Sequence, residues 1–187
     1  NGCTTTASDT VIVNTLPTVG LTKNITSDAI CQNDTVIFTA NTGDNYSYVW
    51  KDNAEELDNE NENENIYHFV TFADIEESTE TGDHVFTVTI TDGNECSNTD
   101  TITITVNATP VLTEEHNRVK CYGNGNAYID LTVYNVIGDN NPTYVWTKEE
   151  TTVGADEDLN GIGAGDYTVE VATATCSSTM TITIEQP

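Results

Sequence analysis

The chain repeats itself, and the repeat limits what it can fold into more than any other feature. Cys3 to Pro17 (CTTTASDTVIVNTLP) aligns without a gap with Cys96 to Pro110 (CSNTDTITITVNATP), and a shorter copy runs from Cys176 to Pro187. Upstream of each later copy stands a tyrosine-x-tryptophan stretch, Tyr48-Val-Trp50 and Tyr144-Val-Trp146. These are followed by Gly82-Asp83 with Phe86-Thr-Val88, and by Gly165-Asp-Tyr-Thr-Val169. Further upstream lie Cys31 and Cys121, leading into Val36-Ile-Phe38 and Ala127-Tyr-Ile-Asp-Leu131. A unit of about 80 to 90 residues with about seven short apolar stretches is a supersecondary module used more than once.

Inside the repeat, apolar and polar residues alternate. Thr101-Ile-Thr-Ile-Thr-Val106, Tyr167-Thr-Val-Glu-Val171 and Thr179-Met-Thr-Ile-Thr-Ile184 have the period of strands buried on one face, and no comparable helical period is visible. The fold class expected is all-β, as tandem immunoglobulin-like (PKD-like) β-sandwich domains. A core tryptophan on the third strand and a Gly-x-Tyr/Phe lead into the sixth fit that architecture. Residues 1–16 are then expected to be the last strand of a preceding, truncated domain, 17–109 one Ig/PKD-like sandwich and 110–187 a second. Trp50 and Trp146 are expected in the two cores rather than stacked on sugars.

Charge narrows the partners. Five Lys and Arg stand against 31 Asp and Glu, a formal charge of -26, which repels nucleic acid phosphates and anionic lipid surfaces. No run of about 18 apolar residues is present, so no membrane-spanning helix is expected. The start at Asn1-Gly2-Cys3 reads as a piece cut from something longer. The acidic run Asn59-Glu-Asn-Glu-Asn-Glu-Asn65 would, as a strand, have one face all glutamate and one all asparagine. Neither face can be buried without unpaired polar groups, and asparagine is a poor strand former. The run is expected to be an exposed acidic connection leading toward an edge strand whose charges discourage edge-to-edge pairing.

The second module resembles a known family. Lys120-Cys-Tyr-Gly-Asn-Gly-Asn-Ala-Tyr-Ile-Asp130, Pro142-Thr-Tyr-Val-Trp146, Leu159, Gly165-Asp-Tyr-Thr-Val169, Cys176 and Ile182-Thr-Ile-Glu-Gln-Pro187 resemble a SprB-type repeat of the large secreted surface adhesins of Bacteroidota, including those used in gliding motility. Residues 17–109 are similar, more loosely, to the PKD-like and Ig-like modules of the same proteins, through Tyr48-Val-Trp50 and Val88-Thr-Ile-Thr-Asp-Gly-Asn-Glu-Cys96. Ala172-Thr-Ala-Thr-Cys176 departs from the family's Asp-x-x-Gly-Cys turn. The resemblance implies a cell-surface location, export by the type IX route, and a role in adhesion or as a filament stalk.

Five cysteines in an exported chain imply disulfides. Within-domain pairing would join Cys31 to Cys96 and Cys121 to Cys176, leaving Cys3 with a partner outside the fragment. In an Ig-like topology, however, Cys31 and Cys121 precede the second strand while Cys96 and Cys176 lie in the turn before the last. A strand of about 7 residues holds those ends about 20 Å apart, whereas a disulfide needs Cα atoms within about 7 Å. A head-to-tail array offers Cys31 to Cys176 instead, with Cys96 and Cys121 awaiting neighbours. Reduced thiols are the third alternative.

Little else points to chemistry. His68, His84 and His116 lack metal-ligand spacing, and Gly123-Asn-Gly125 and Gly161-Ile-Gly-Ala-Gly165 read as turns, because no helix follows to make a phosphate loop. No enzyme is expected. Calcium is the one candidate ion, at Asp92 and Glu95 or Asp156 and Asp158, with Asp139-Asn-Asn141 and Glu114-Glu115 as further oxygen-rich stretches, none in an EF-hand pattern. Thr10, Thr35 and Thr101 sit in Asp-Thr-aliphatic triplets that resemble the O-glycosylation sequon of Bacteroidota. Tyr46, Tyr122 and Tyr134 are the aromatics available if the chain itself grips polysaccharide. The function expected is a non-enzymatic structural or adhesive repeat segment whose partners are adjacent repeats of the same polypeptide. The alternative is a carbohydrate-binding module.

Overall fold

The computed structural model describes residues 2–3, 5–57, 64–73, 81–137 and 141–187. Among them are fifteen strands and no helix, so no helix is long and apolar enough to cross a membrane. The chain is built as tandem immunoglobulin-like β-sandwiches. In the first, β1 (Leu21–Lys23), β3 (Thr35–Ala40) and β6 (Ile66–Val70) form one sheet. The other contains β2 (Ala29–Cys31), β8 (Ser97–Asn107), β7 (Gly82–Thr91), β4 (Ser47–Asp52) and β5 (Glu55–Glu56), in the order β2-β8-β7-β4-β5. Strand β2 runs parallel to β8, with Ala29 opposite Thr105. In the second, β13 (Leu159–Ile162), β10 (Ala127–Tyr134) and β9 (Val111–His116) form one sheet. It is completed by β12 (Thr151–Gly154), β11 (Thr143–Lys148), β14 (Gly165–Ala172) and β15 (Ser177–Ile184), in that order.

By density of contact the residues group into two compact units, Asn1–Asn24 with Ile37–Tyr67 and Val85–Ile102, and Ile25–Val36 with His68–His84 and Thr103–Pro187. This grouping cuts across β3, β6, β7 and β8 and does not follow the chain order from which modules 17–109 and 110–187 were read. In the first unit Phe38 faces Phe86 at 4.5 Å between ring centroids, and Tyr67 lies between Phe86 at 6.3 Å and Trp50 at 5.8 Å. In the second, alternate residues of β10 (Ala127, Ile129, Leu131), β14 (Tyr167, Val169, Val171) and β15 (Ile182, Ile184) close over Trp146 with Val119 and Leu159.

The two indoles obey the same rule. Trp50 is 1% exposed and Trp146 0%, so each ring N–H must find an acceptor inside the protein. Trp50 donates to the Glu64 carbonyl at 3.1 Å and Trp146 to the Asp156 carbonyl at 2.9 Å. The polar loops after the tryptophan strands are thereby tied to the cores. Tyr167, near the start of β14, donates its hydroxyl to the Gly163 carbonyl at 3.0 Å, the tyrosine corner found in immunoglobulin-type sandwiches.

Most of the acidic run, residues 59–63, lies outside the described residues. Its last two positions are anchored: Asn65 accepts the Ala40 N–H through its carbonyl at 2.8 Å and donates its side-chain amide to the Ala40 carbonyl at 2.9 Å. At the other end of the chain, residues 5–20 form no strand, and Val11, Ile12 and Val13 are 82%, 80% and 87% exposed. The strand expected of residues 1–16 has no ladder partner here, and a strand is held only by its neighbours' hydrogen bonds.

Replacing Trp146 or Trp50 by alanine removes the largest buried side chain of its core and should lower unfolding free energy by about 3–5 kcal/mol, measured by urea denaturation. Burial raises the Tyr67 hydroxyl above its ordinary pKa of 10.0, with Asp52 adding to the shift. The neutral form is the one the fold holds. Its contribution is therefore complete below pH about 10 and lost as the pH rises through the folded value, a decline that Tyr67→Phe should reduce in alkaline melts.

Candidate functional site: the Cys31–Cys176 junction

Cys31 and Cys176 form a disulfide, with Cα atoms 5.8 Å apart at a sequence separation of 145. Cys31 ends β2 and Cys176 immediately precedes β15, so the bond links the two sandwiches. Both residues belong to the second compact unit. Cys3, Cys96 and Cys121 are free thiols, so the within-domain pairs Cys31–Cys96 and Cys121–Cys176 are not formed. The reason is the strand-length separation between the turn at the start of a module and the hairpin near its end.

Each sulfur is held by a tight turn. At Cys31 the Asp34 N–H donates to the Cys31 carbonyl at 3.1 Å, and the Asp34 carboxylate accepts the Cys31 N–H at 3.0 Å. Asn33, in the third position of this turn, has φ 74°, the left-handed region that asparagine tolerates best among residues with a side chain. At Cys176 the Thr173 hydroxyl accepts the Cys176 N–H at 3.1 Å, while the Thr173 N–H donates to the Cys176 carbonyl at 2.8 Å.

Beside the disulfide lies a buried polar cluster that no sequence pattern announced. Gln32 is 2%, Thr109 5% and Asn135 8% exposed. The Gln32 side-chain carbonyl accepts the Thr109 N–H at 3.2 Å and the Asn135 side-chain amide at 2.6 Å. The Thr109 hydroxyl donates to the Gln32 carbonyl at 2.9 Å, and the Asn135 amide reaches the Thr109 carbonyl at 2.8 Å. Ser178 donates to the Pro110 carbonyl at 2.5 Å. Such a network is directional, so it fixes one arrangement of β2, the 107–110 connection and the end of β10 where apolar contact alone would allow several. The signal available in the sequence was Gln32 directly after Cys31, a polar residue whose burial nothing local reveals.

The remaining candidates are dispersed. Among the described residues no three His, Cys, Asp or Glu side chains gather as a metal site. Asp92 is occupied as a turn former, its carboxylate accepting the N–H of Asn94 at 2.8 Å and of Cys96 at 2.9 Å, while Glu95 completes the turn at φ 64°. Asp158 accepts the Leu131 N–H at 3.0 Å, and Asp156 serves through its backbone carbonyl. Glu114 pairs with His116 at 2.7 Å, and Asp139 and Asn140 lie outside the described residues. Thr10, Thr35 and Thr101 are all exposed. The preceding aspartates bind backbone amides: Asp9 that of Thr10 at 2.9 Å, Asp34 that of Cys31, and Asp100 those of Thr101 at 2.9 Å and Leu21 at 3.0 Å. Of the tyrosines, Tyr46 is half-buried and lies against Gly43, Tyr134 is 37% exposed on β10, and Tyr122 is 80% exposed in a turn.

No protein-family model and no curated protein sequence matches the chain. Among solved structures it is similar to the N-terminal eight Ig domains of Down Syndrome Cell Adhesion Molecule, at 14% identity and TM-score 0.52, over 84% of this chain and 23% of that one. It is also similar to the insect immune protein hemolin, at 12% identity and TM-score 0.49 over 93% and 49% of the two chains. A third is the three N-terminal domains of the bacteriophage RB49 outer capsid protein Hoc, at 18% identity and TM-score 0.39 over 90% and 58%. The chain thus spans less than two thirds of each. At these identities the likeness is one of fold, tandem immunoglobulin-like sandwiches.

Opening the disulfide with the double change Cys31→Ser and Cys176→Ser should cost about 2–5 kcal/mol, because the cross-link closes a long loop. Gln32→Ala, which leaves the Thr109 N–H and one of the two Asn135 amide N–H groups without an acceptor, should cost about 1–3 kcal/mol. Urea unfolding of both variants beside the parent chain checks each figure.

Proposed function

We propose that this chain is a non-enzymatic stalk segment of a large secreted cell-surface filament or adhesin of the SprB-repeat kind, acting in surface attachment or gliding motility. The observation that carries this reading is the junction, where a disulfide and a buried hydrogen-bond network brace two sandwiches covalently and directionally. A disulfide of this kind belongs to an oxidising compartment outside the cytosol. The acidic surface, at a formal charge of -26, keeps neighbouring filaments apart and well hydrated. Export by the type IX route and attachment to the outer surface follow from the resemblance of residues 110–187. In this reading the segment projects a distal binding region and resists load, and its immediate partners are adjacent repeats.

Single-molecule pulling tests it. With the bond closed, the chain between Cys31 and Cys176, a sequence separation of 145, is excluded from the extension; reduction should release about 500 Å more chain. Equal extensions before and after reduction would remove the load-bearing role. Glycan-array binding by this fragment alone would instead favour a carbohydrate-binding module.

A further inference from the structure

We propose that residues 10–14 are the docking strand for an immunoglobulin-like sandwich that precedes Pro17 in the same polypeptide and lacks a last strand of its own. Val11 and Val13 enter the core of that sandwich, and Ile12 stays on its outer face. This deepens the stalk reading, on which it rests for the presence of adjacent repeats, by naming the segment through which one of them is engaged.

Val11, Ile12 and Val13 are 82%, 80% and 87% exposed. Three successive β-branched residues favour an extended backbone, and a contiguous apolar run left in water marks an interaction site. The matching residues of the repeat show what covers it. At the gap-free spacing of Cys3 to Pro17 against Cys96 to Pro110, Thr10, Val11, Ile12, Val13 and Asn14 take the places of Thr103, Ile104, Thr105, Val106 and Asn107 of β8. Ile104 is 0% and Val106 2% exposed, whereas Thr105 between them is half-buried. They are held so because β8 lies between β7 and β2 in its sheet. Asp9 stands where β8 has Ile102, so the apolar match starts at Thr10.

The residues after the segment supply an independent observation. Beyond β8 the chain passes through Pro110 into β9, the first strand of the next sandwich. The Pro110 carbonyl accepts the hydroxyl of Ser178, two positions after Cys176. The Pro17 carbonyl accepts the side-chain amide of Asn98 at 3.0 Å, and Asn98 lies two positions after Cys96. Both prolines are buried, and Pro17 leads into β1 as Pro110 leads into β9. The same hand-over therefore exists at both prolines, and at Pro110 the strand before it completes the preceding sandwich. Asn107 also donates its side-chain amide to the Ile30 carbonyl of β2 at 3.3 Å, and Asn14 brings the same group to the same place. Strand addition takes its affinity from ladder bonds and its register from side chains that alternate between faces. The fitting partner is thus a sheet edge with unpaired backbone N–H and C=O groups beside an apolar slot for Val11 and Val13.

The test compares the full chain carrying Cys3→Ser with the same chain extended ahead of residue 3 by a second copy of residues 17–95 carrying Cys31→Ser. In the extended chain, residues 3–17 follow the added strands as residues 96–110 follow the native ones. Hydrogen exchange at the amides of residues 10–14 is the readout. In the unextended chain they should exchange almost as fast as an unstructured peptide, and in the extended chain more than about a hundredfold more slowly. Val13→Asp should abolish that slowing, and Ile12→Asp should leave it in place. A control extension, with residues 96–110 carrying Cys96→Ser in place of residues 3–17, presents the added strands with a last strand of known fit. Amides of residues 10–14 that stay fast while the matching amides of the control are slow would overturn the proposal. So would equal loss of slowing in Ile12→Asp and Val13→Asp. Slow exchange in the unextended chain that grows with protein concentration would assign the segment to a second copy and overturn it as well. Any of these results with the reduction-dependent pulling extension intact would leave the stalk reading standing.

Discussion

The structure depends on burying one face of every sheet while leaving no indole N–H unpaired. Alternating strands supply the apolar face at no cost in buried polar groups, but a tryptophan at the centre of each core brings one donor with it. That donor is met by a carbonyl of the loop following the tryptophan strand, from Glu64 in one case and Asp156 in the other. Residues of these acidic connections, which by composition favour water, are in this way tied through their backbone to the cores.

The junction works by a complementary logic. A disulfide sets how far apart two segments can be, but leaves freedom about the bond. The Gln32, Thr109 and Asn135 cluster removes that freedom, because its hydrogen bonds have angular preferences and its members are cut off from water. A covalent restraint and a directional one together hold β2, the 107–110 connection and the end of β10 in one arrangement.

Much of this was legible in the residues. Alternation in Thr101–Val106, Tyr167–Val171 and Thr179–Ile184 is a local property that survives any arrangement of the strands, and it led to the all-β sandwich. The repeated Tyr-x-Trp and Gly-x-Tyr/Phe stretches located core positions, since Trp50, Phe86, Trp146 and Tyr167 are all buried. The acidic loops were less legible. Asp92, Asp156 and Asp158 have the composition of cation ligands, yet two of their carboxylates hold backbone amides and the third residue contributes a carbonyl. Nothing in a one-dimensional string distinguishes an aspartate that shapes a turn from one that awaits an ion, since both need the same oxygen.

The sequence by itself determined the strand period and the four cysteines that recur at matching places in the repeat, because each is a matter of local stereochemistry and spacing. Tertiary structure alone decided which two sulfurs meet. A disulfide forms where Cα atoms come within a few ångströms, and the 5.8 Å between Cys31 and Cys176 is a product of how folded strands bring distant turns together. The same holds for Gln32. Its polar side chain is buried only because the folded chain delivers Thr109 and Asn135 to it, and no window of sequence around residue 32 contains either.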